Sequence, residues 1–168
     1  TLAKLPLHPR LAHMVAKGGR SAPTLAAILA ERDPLRGAPV DLSLRMDAVA
    51  GKRTLGEVNH ATLARIRQEA KRLARGQKTD GPDTLGVLAA LAYPDRVALR
   101  RKGDSPRFVM SGGKGAIMPD GDPMASERLL VATDLDGDPR EARIRQAVRL
   151  SDADLRATFP EQIGWHDV

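Results

Sequence analysis

Hydrophobic positions in the first half of the chain recur at helical spacing, in short segments cut by proline and glycine. Pro9 suits a first helical turn, where its missing N–H costs nothing, and Leu11, Met14 and Val15 follow until Gly18-Gly19. Ser21 can cap a second helix with Leu25, Ile28 and Leu29 on one face, which Asp33-Pro34 breaks. Asp41 can cap a third, where Leu42, Met46 and Val49 recur at i, i+4 and i+7 before Gly51. The fourth runs between Asn59 as N-cap and Gly76 beyond its end, with Leu63, Ile66, Ala70 and Leu73 forming a single apolar stripe. A fifth, capped by Asp83 or Thr84, carries Leu85, Leu88 and Leu91. It stops at Tyr93-Pro94, because the residue before a proline avoids helical angles.

Beyond Pro94 the pattern changes to short strands. Val97 to Lys102, Arg107 to Met110, Ala116 to Met118, Leu129 to Leu135 and Arg143 to Leu150 read as strands, with turns at Gly103-Asp104-Ser105-Pro106 and Ser111-Gly112-Gly113-Lys114-Gly115. Ser151 can cap a short helix over Asp152 to Phe159, and Ile163-Gly164-Trp165 begins a last extended segment. Five or six short strands with an interposed helix suit a small antiparallel barrel of the oligonucleotide-binding kind. The fold class expected is therefore α+β. A helical bundle over residues 1–83 gives way, after the polar connector Gln77 to Asp83, to a junction helix and barrel over 84–168.

Charge changes this picture more than composition does. The chain carries 27 Lys and Arg against 21 Asp and Glu, a net +6. Residues 1–84 hold 15 basic and 8 acidic side chains, whereas residues 85–168 hold 12 and 13. The excess is densest from Arg65 to Lys78, where Arg65, Arg67, Lys71, Arg72, Arg75 and Lys78 face only Glu69. At about 100° per residue, Arg67, Lys71, Arg72 and Arg75 project opposite the apolar stripe, a cationic rail whose field attracts polyanions.

Other chemistry is sparse. With no cysteine there is no disulfide, thiolate metal site or cysteine nucleophile. Ser111 to Gly115 lacks the spacing and the following Ser/Thr of a phosphate loop. The run Asp134, Asp136, Asp138 places Pro139 where a calcium loop needs glycine. The four histidines have no metal-ligand spacing, and no serine-nucleophile elbow exists. The expectation is no catalytic residue, no metal and no cofactor in this chain. Four aromatic residues are too few for a base-stacking platform, which leaves phosphate tracking by charge. No apolar run approaches the ~20 residues of a membrane span and no signal peptide is visible, so a soluble, cytoplasmic chain with no membrane partner is expected. Thr1 in place of Met suggests a piece of something longer.

Several stretches resemble a known family. Leu5-Pro6-Leu7-His8-Pro9-Arg10-Leu11-Ala12 with Met14, and Glu31-Arg32-Asp33-Pro34-Leu35, resemble the helicase-associated region of DEAH-box/RHA helicases. Arg65 to Arg75 and Leu88-Ala89-Ala90-Leu91-Ala92-Tyr93-Pro94-Asp95-Arg96-Val97-Ala98 with Arg100-Arg101 are similar to the bacterial branch called HrpB. So are Gly113-Lys114-Gly115-Ala116, Asp122-Pro123-Met124-Ala125 and Val131 to Gly137. The match runs in order from about Leu2 to about Phe159.

The resemblance implies that two RecA-like ATPase domains and most of a winged-helix domain precede Thr1 in a parent helicase. Those domains would supply ATP and Mg²⁺ chemistry. The chain itself would be the ratchet-like bundle and barrel that wall a tunnel for single-stranded RNA or DNA. Arg65, Arg67, Lys71, Arg72 and Arg75 are then the first candidates for phosphate contact. Arg100, Arg101, Lys102, Arg107 and Lys114 are the second. Arg10, Arg32 and Asp33, in family-like motifs, read as structural or interdomain residues, with an Arg–Asp pair at the Asp33-Pro34 turn. Asp95 and Arg96 read as a pair at the junction. An alternative stays open: the basic helix could dock the ATPase core or another acidic protein surface.

Overall fold

The computed structural model describes residues 7–77, 80–103, 106–137 and 141–158; Lys78 and the expected Ile163–Trp165 segment lie outside these. Among them are six α-helices: α1 (Pro9–Lys17), α2 (Ala22–Ala30), α3 (Leu42–Val49), α4 (His60–Ala74), α5 (Leu85–Ala92) and α6 (Asp152–Thr158). Local chemistry starts most of them. Asp41 accepts the Ser43 N–H at 2.9 Å, Asn59 the Thr62 N–H at 3.0 Å, and Ser151 Oγ the Asp154 N–H at 3.0 Å. Ser21 behaves differently from the sequence expectation: its side chain caps nothing in α2. Its N–H and hydroxyl instead both donate to the Asp83 carboxylate, tying the start of α2 to the entry of α5. Neither Asp83 nor Thr84 caps α5 through its side chain.

A second departure lies between α2 and α4. Strand β1 (Leu35–Arg36) pairs antiparallel with β2 (Glu57–Val58) across α3, where an all-helical first half was expected. The segment before α3 is held by Arg45, whose side chain is only 2% exposed. Its guanidinium donates to both oxygens of Asp33, at 3.1 and 2.7 Å, to the Asp41 carbonyl at 3.1 Å and to the Pro39 carbonyl. A buried arginine is tolerable only when its donors are satisfied, and here Nε, Nη1 and Nη2 all have partners.

After a short 3₁₀ turn at Pro94–Arg96 come β3 (Val97–Arg100), β4 (Arg107–Met110), β5 (Gly115–Ile117), β6 (Leu129–Leu135) and β7 (Glu141–Arg149). They close in the order β3-β4-β5-β7-β6, antiparallel except for the parallel β5–β7 pair. This is a small five-stranded mixed barrel of the oligonucleotide-binding type, with the 3₁₀ turn Pro123–Ser126 between β5 and β6. Alternation sends Ala98, Phe108, Met110, Ala116, Leu130, Ala132 and Ile144 inward. Alanines in these positions make room for the single phenylalanine and the methionines of a narrow interior.

The outer face of β3, β6 and β7 is covered by α5, whose sequence, LGVLAALA, is apolar all round. Such a helix must be buried on every side. It packs between α1 and strands β6 and β7, so one cluster runs from Met14, Leu25 and Ile66 through Leu88 to Val97, Val131 and Val148. The fit is close: a Cβ on Gly86 would lie 2.5 Å from the Arg149 carbonyl oxygen. A second link comes from the 33–41 segment. Val40 is buried with the barrel interior, its carbonyl accepting the Ala147 N–H at 3.1 Å and its own N–H meeting Asp122 at 2.8 Å.

Arg45→Ala should therefore destabilise the chain by about 3 kcal/mol, the lower end for a broken buried pair because Asp33 keeps some water. The loss would be read from the urea midpoint. A change near zero would show that the 33–41 segment does not depend on the guanidinium.

Candidate nucleic-acid interface

Helix α4 lays Leu63 and Ile66 against α2 and α3 and presents its cations outward, but on two flanks rather than one. On the α3 side, Arg67 donates to the carbonyls of Ala48 and Val49, both at 3.2 Å. The Ala48 carbonyl also accepts the Gly51 N–H at 3.1 Å, and the positive charge suits the negative end of the α3 dipole. On the α2 side, Arg65 lies 3.5 Å from Glu31 and donates to the Thr62 hydroxyl at 3.1 Å, while Arg72 is bound by Glu69 one turn back. Between the flanks, Lys71 and Arg75 are exposed and have no side-chain partner among the described residues. The helix thus keeps five cations at its surface with two wholly uncommitted.

The barrel divides its cations as well. Arg100, Arg101, Lys102 and Arg107 gather where β3 ends and β4 begins, whereas Lys114 sits in the turn at the opposite end of β4, roughly 10 Å away at strand rise. Arg100, Arg101 and Lys102 border a groove of about 720 Å³ with Leu99 and Val109 as its floor. Arg128 joins this groove because the Arg100 N–H bonds its carbonyl at 2.8 Å where β3 meets β6. Sequence reading missed it, since nothing in the spacing places residue 128 beside residue 100. Arg100 is anchored by donating to the Ala125 carbonyl at 2.9 Å, Arg107 lies 3.7 Å from Glu141, and Arg128 lies 3.1 Å from Asp152. Arg101 and Lys102 have no side-chain partner among the described residues.

Between the helical and barrel groups lies Tyr93. The Arg96 guanidinium stands 4.8 Å from its ring centre and that of Arg10 5.4 Å. Arg10 binds both Asp95 oxygens, at 2.6 and 3.2 Å, and the Ala92 carbonyl at 3.2 Å. Asp95 thus takes Arg10 as its partner, while Arg96 donates to the Thr133 carbonyl on β6 at 3.2 Å. Partial burial alone would raise the Asp95 carboxyl. The hydrogen bonds from Arg10 and its own backbone, with the charges of Arg10 and Arg96, outweigh that and hold it below the usual carboxylate range. Burial pushes the Tyr93 phenol up against the pull of the same two arginines. At the Asp33-Pro34 turn, Asp33 pairs with Arg45, and the exposed Arg32 side chain makes no polar contact among the described residues.

Tyr93 also lines a groove of about 610 Å³ between α1, α2 and α4, floored by Leu11, Leu29 and Ile66 and edged by Arg65 and Glu69. From there the surface continues over Arg10 and Asp95 to the 111–114 turn, since the Asp95 carbonyl accepts the Gly112 N–H at 3.1 Å. Gly113 turns back with φ +97°, open to glycine alone without strain, and leaves Lys114 exposed. The α2 flank of the cationic helix and the Lys114 turn are therefore linked through Tyr93, Arg10 and Asp95, whereas the Arg100–Lys102 group borders the groove at the β3–β4 rim.

This architecture has solved counterparts. A crystal structure of the E. coli DExH-box NTPase HrpB is similar over 91% of this chain, with 29% identity and a TM-score of 0.67. This chain is built like one segment of an HrpB helicase. A second structure, of the Escherichia coli DEAH/RHA helicase HrpB, shares the fold over 86% of the chain with 21% identity and a TM-score of 0.61. The chain spans 18% of the length of each HrpB structure. No family model matches the sequence, and no curated protein does so.

The Arg10–Asp95 pair sets a pH dependence. A depressed carboxyl contributes stability that is present above its unfolded value, about 3.9, and lost as pH falls through the lower folded value. The stability difference between wild type and Asp95→Asn should accordingly be constant from pH 5 to 7 and shrink below about pH 4. Unfolding midpoints of the two proteins across that range would test it, and a difference that persists at pH 2 would refute it.

Proposed function

We propose that this chain is an accessory region of an ATP-dependent helicase, gripping single-stranded nucleic acid by its phosphates. The helicase context rests on the likeness to HrpB over 91% of the chain, and ATP, Mg²⁺ and the RecA-like domains belong to the rest of such a protein. The gripping role rests on one observation above all: Lys71 and the C-cap Arg75 stand exposed, with no side-chain partner among the described residues, on a helix whose other cations remain at its surface. Phosphates can displace solvent from them and release counterions without breaking a native ion pair. Arg101, Lys102 and Lys114 are available in the same way. Arg65, Arg72 and Arg107 would have to share or exchange their carboxylate partners. Arg67, committed to the end of α3, contributes field more than contact.

The mixed lining of the Tyr93 groove, with Glu31 and Glu69 beside Arg65, favours a second reading for that surface: docking on another protein domain, such as the ATPase core. Charge reversal at Arg65, which edges that groove, and at Lys71 and Arg75 in the parent separates the two. Lost RNA stimulation with unchanged protease sensitivity marks gripping, and loosened domains mark docking.

For this chain, a labelled single-stranded RNA should bind weakly, and its affinity should fall about 20-fold between 50 and 200 mM salt if about three phosphates are neutralised. Lys71→Glu with Arg75→Glu should flatten that salt slope while leaving the unfolding midpoint in place. Fluorescence anisotropy reads both. Absence of binding at low salt, or a slope indifferent to the double change, would end the gripping assignment.

A further inference from the structure

We propose that the cleft between α3, the start of α5 and the Pro123–Ser126 turn docks a short apolar and basic peptide segment of a partner protein. The cleft is about 570 Å³, within the usual range of ligand clefts, and Leu44, Leu55, Leu85 and Val148 supply apolar walls. Leu55, 59% exposed, is the one large apolar side chain left in solvent among the described residues. It stands at the mouth of a concavity rather than on a convex surface, where a lone exposed leucine would need no explanation.

The rim decides the class of partner. Asp41, Asp122 and Glu127 line the cleft against one cation, Arg149, in a chain whose net charge is +6. No cationic side chain pairs with Asp41 or Asp122 among the described residues. Each carboxylate is held in place by backbone donors: Asp122 by the N–H groups of Val40 and Met124, at 2.8 and 2.9 Å, and Asp41 by that of Ser43 at 2.9 Å. Because Asp122 grips the N–H of the residue before Asp41, the two acids share one edge. Glu127 meets Arg149 only at 4.0 Å, a loose pair that an incoming cation can replace. A nucleic acid strand is repelled by this rim. A peptide presenting two apolar side chains and a lysine or arginine finds both its apolar floor and fixed acceptors. The occupant is thus a protein, on an acidic face that adjoins the Arg100–Arg128 groove through the Pro123–Ser126 turn.

A random peptide library displayed on phage and selected on this chain supplies the probe, and the best synthetic peptide is then measured by anisotropy. The selected peptides should carry apolar anchors and net positive charge. Leu55→Glu should weaken binding about tenfold or more with the unfolding midpoint unchanged, because Leu55 is largely open to solvent, and Glu127→Lys, at a half-buried position, should weaken it severalfold. Acidic or neutral peptides insensitive to Leu55→Glu would overturn the proposal. So would displacement of the peptide by single-stranded RNA, or concentration-dependent self-association that Leu55→Glu abolishes, since the cleft would then serve a nucleic acid or a second copy.

Discussion

The guanidinium of Arg45 is the constraint on which the joining of helices to barrel depends. Buried at 2% exposure, it cannot be left with idle donors, and it satisfies them on Asp33, Pro39 and Asp41. That set of partners bends residues 33–41 into one arrangement. The bend in turn carries Val40 into the barrel interior, where β7 receives its carbonyl. A hydrophobic pair in the same place could supply comparable stability, but it would not dictate the direction of three acceptors. Here the charge orders a loop that apolar packing alone would leave free to slide.

Helix α5 makes the second connection by a different means. It carries no polar residue, so the helical layer and the barrel close over most of it, with Leu85 and Leu91 left half-buried. The absence of side chains at Gly86 and Gly18 lets β7 and Leu88 approach at those points. The barrel is consequently anchored to the helices through its β3–β6–β7 face, which leaves the β3–β4 rim, with Leu99, Val109 and the cations around them, turned outward.

The distribution of charge follows from this packing. Most surface arginines already have acceptors: Arg67 the end of α3, Arg72 the Glu69 carboxylate, Arg10 the Asp95 carboxylate. The exposed ion pairs of Arg72 and Arg10 contribute little stability and can exchange partners, whereas Arg67 stays on the end of α3. The basic balance of the chain is therefore less concentrated in space than along the sequence. It is spread over two cationic surfaces and interrupted by a cleft of the opposite sign.

Helical spacing, capping residues and the shift to short strands after Pro94 were enough to place every helix within a residue or two and to foretell the barrel, because those signals are local. Asp41, Asn59 and Ser151 cap where their side chains reach their own backbone. Partners far along the chain were not legible. Asp83 serving Ser21, Asp33 serving Arg45, Arg10 rather than Arg96 serving Asp95, and Arg128 beside Arg100 are all settled by packing. The two-residue strands β1 and β2 are too short to carry a periodicity. Amino-acid order specifies which charges exist and which helix face bears them. Which are spent inside the fold and which stay open to a ligand depends on what lies opposite, and only the folded chain brings those groups within bonding distance.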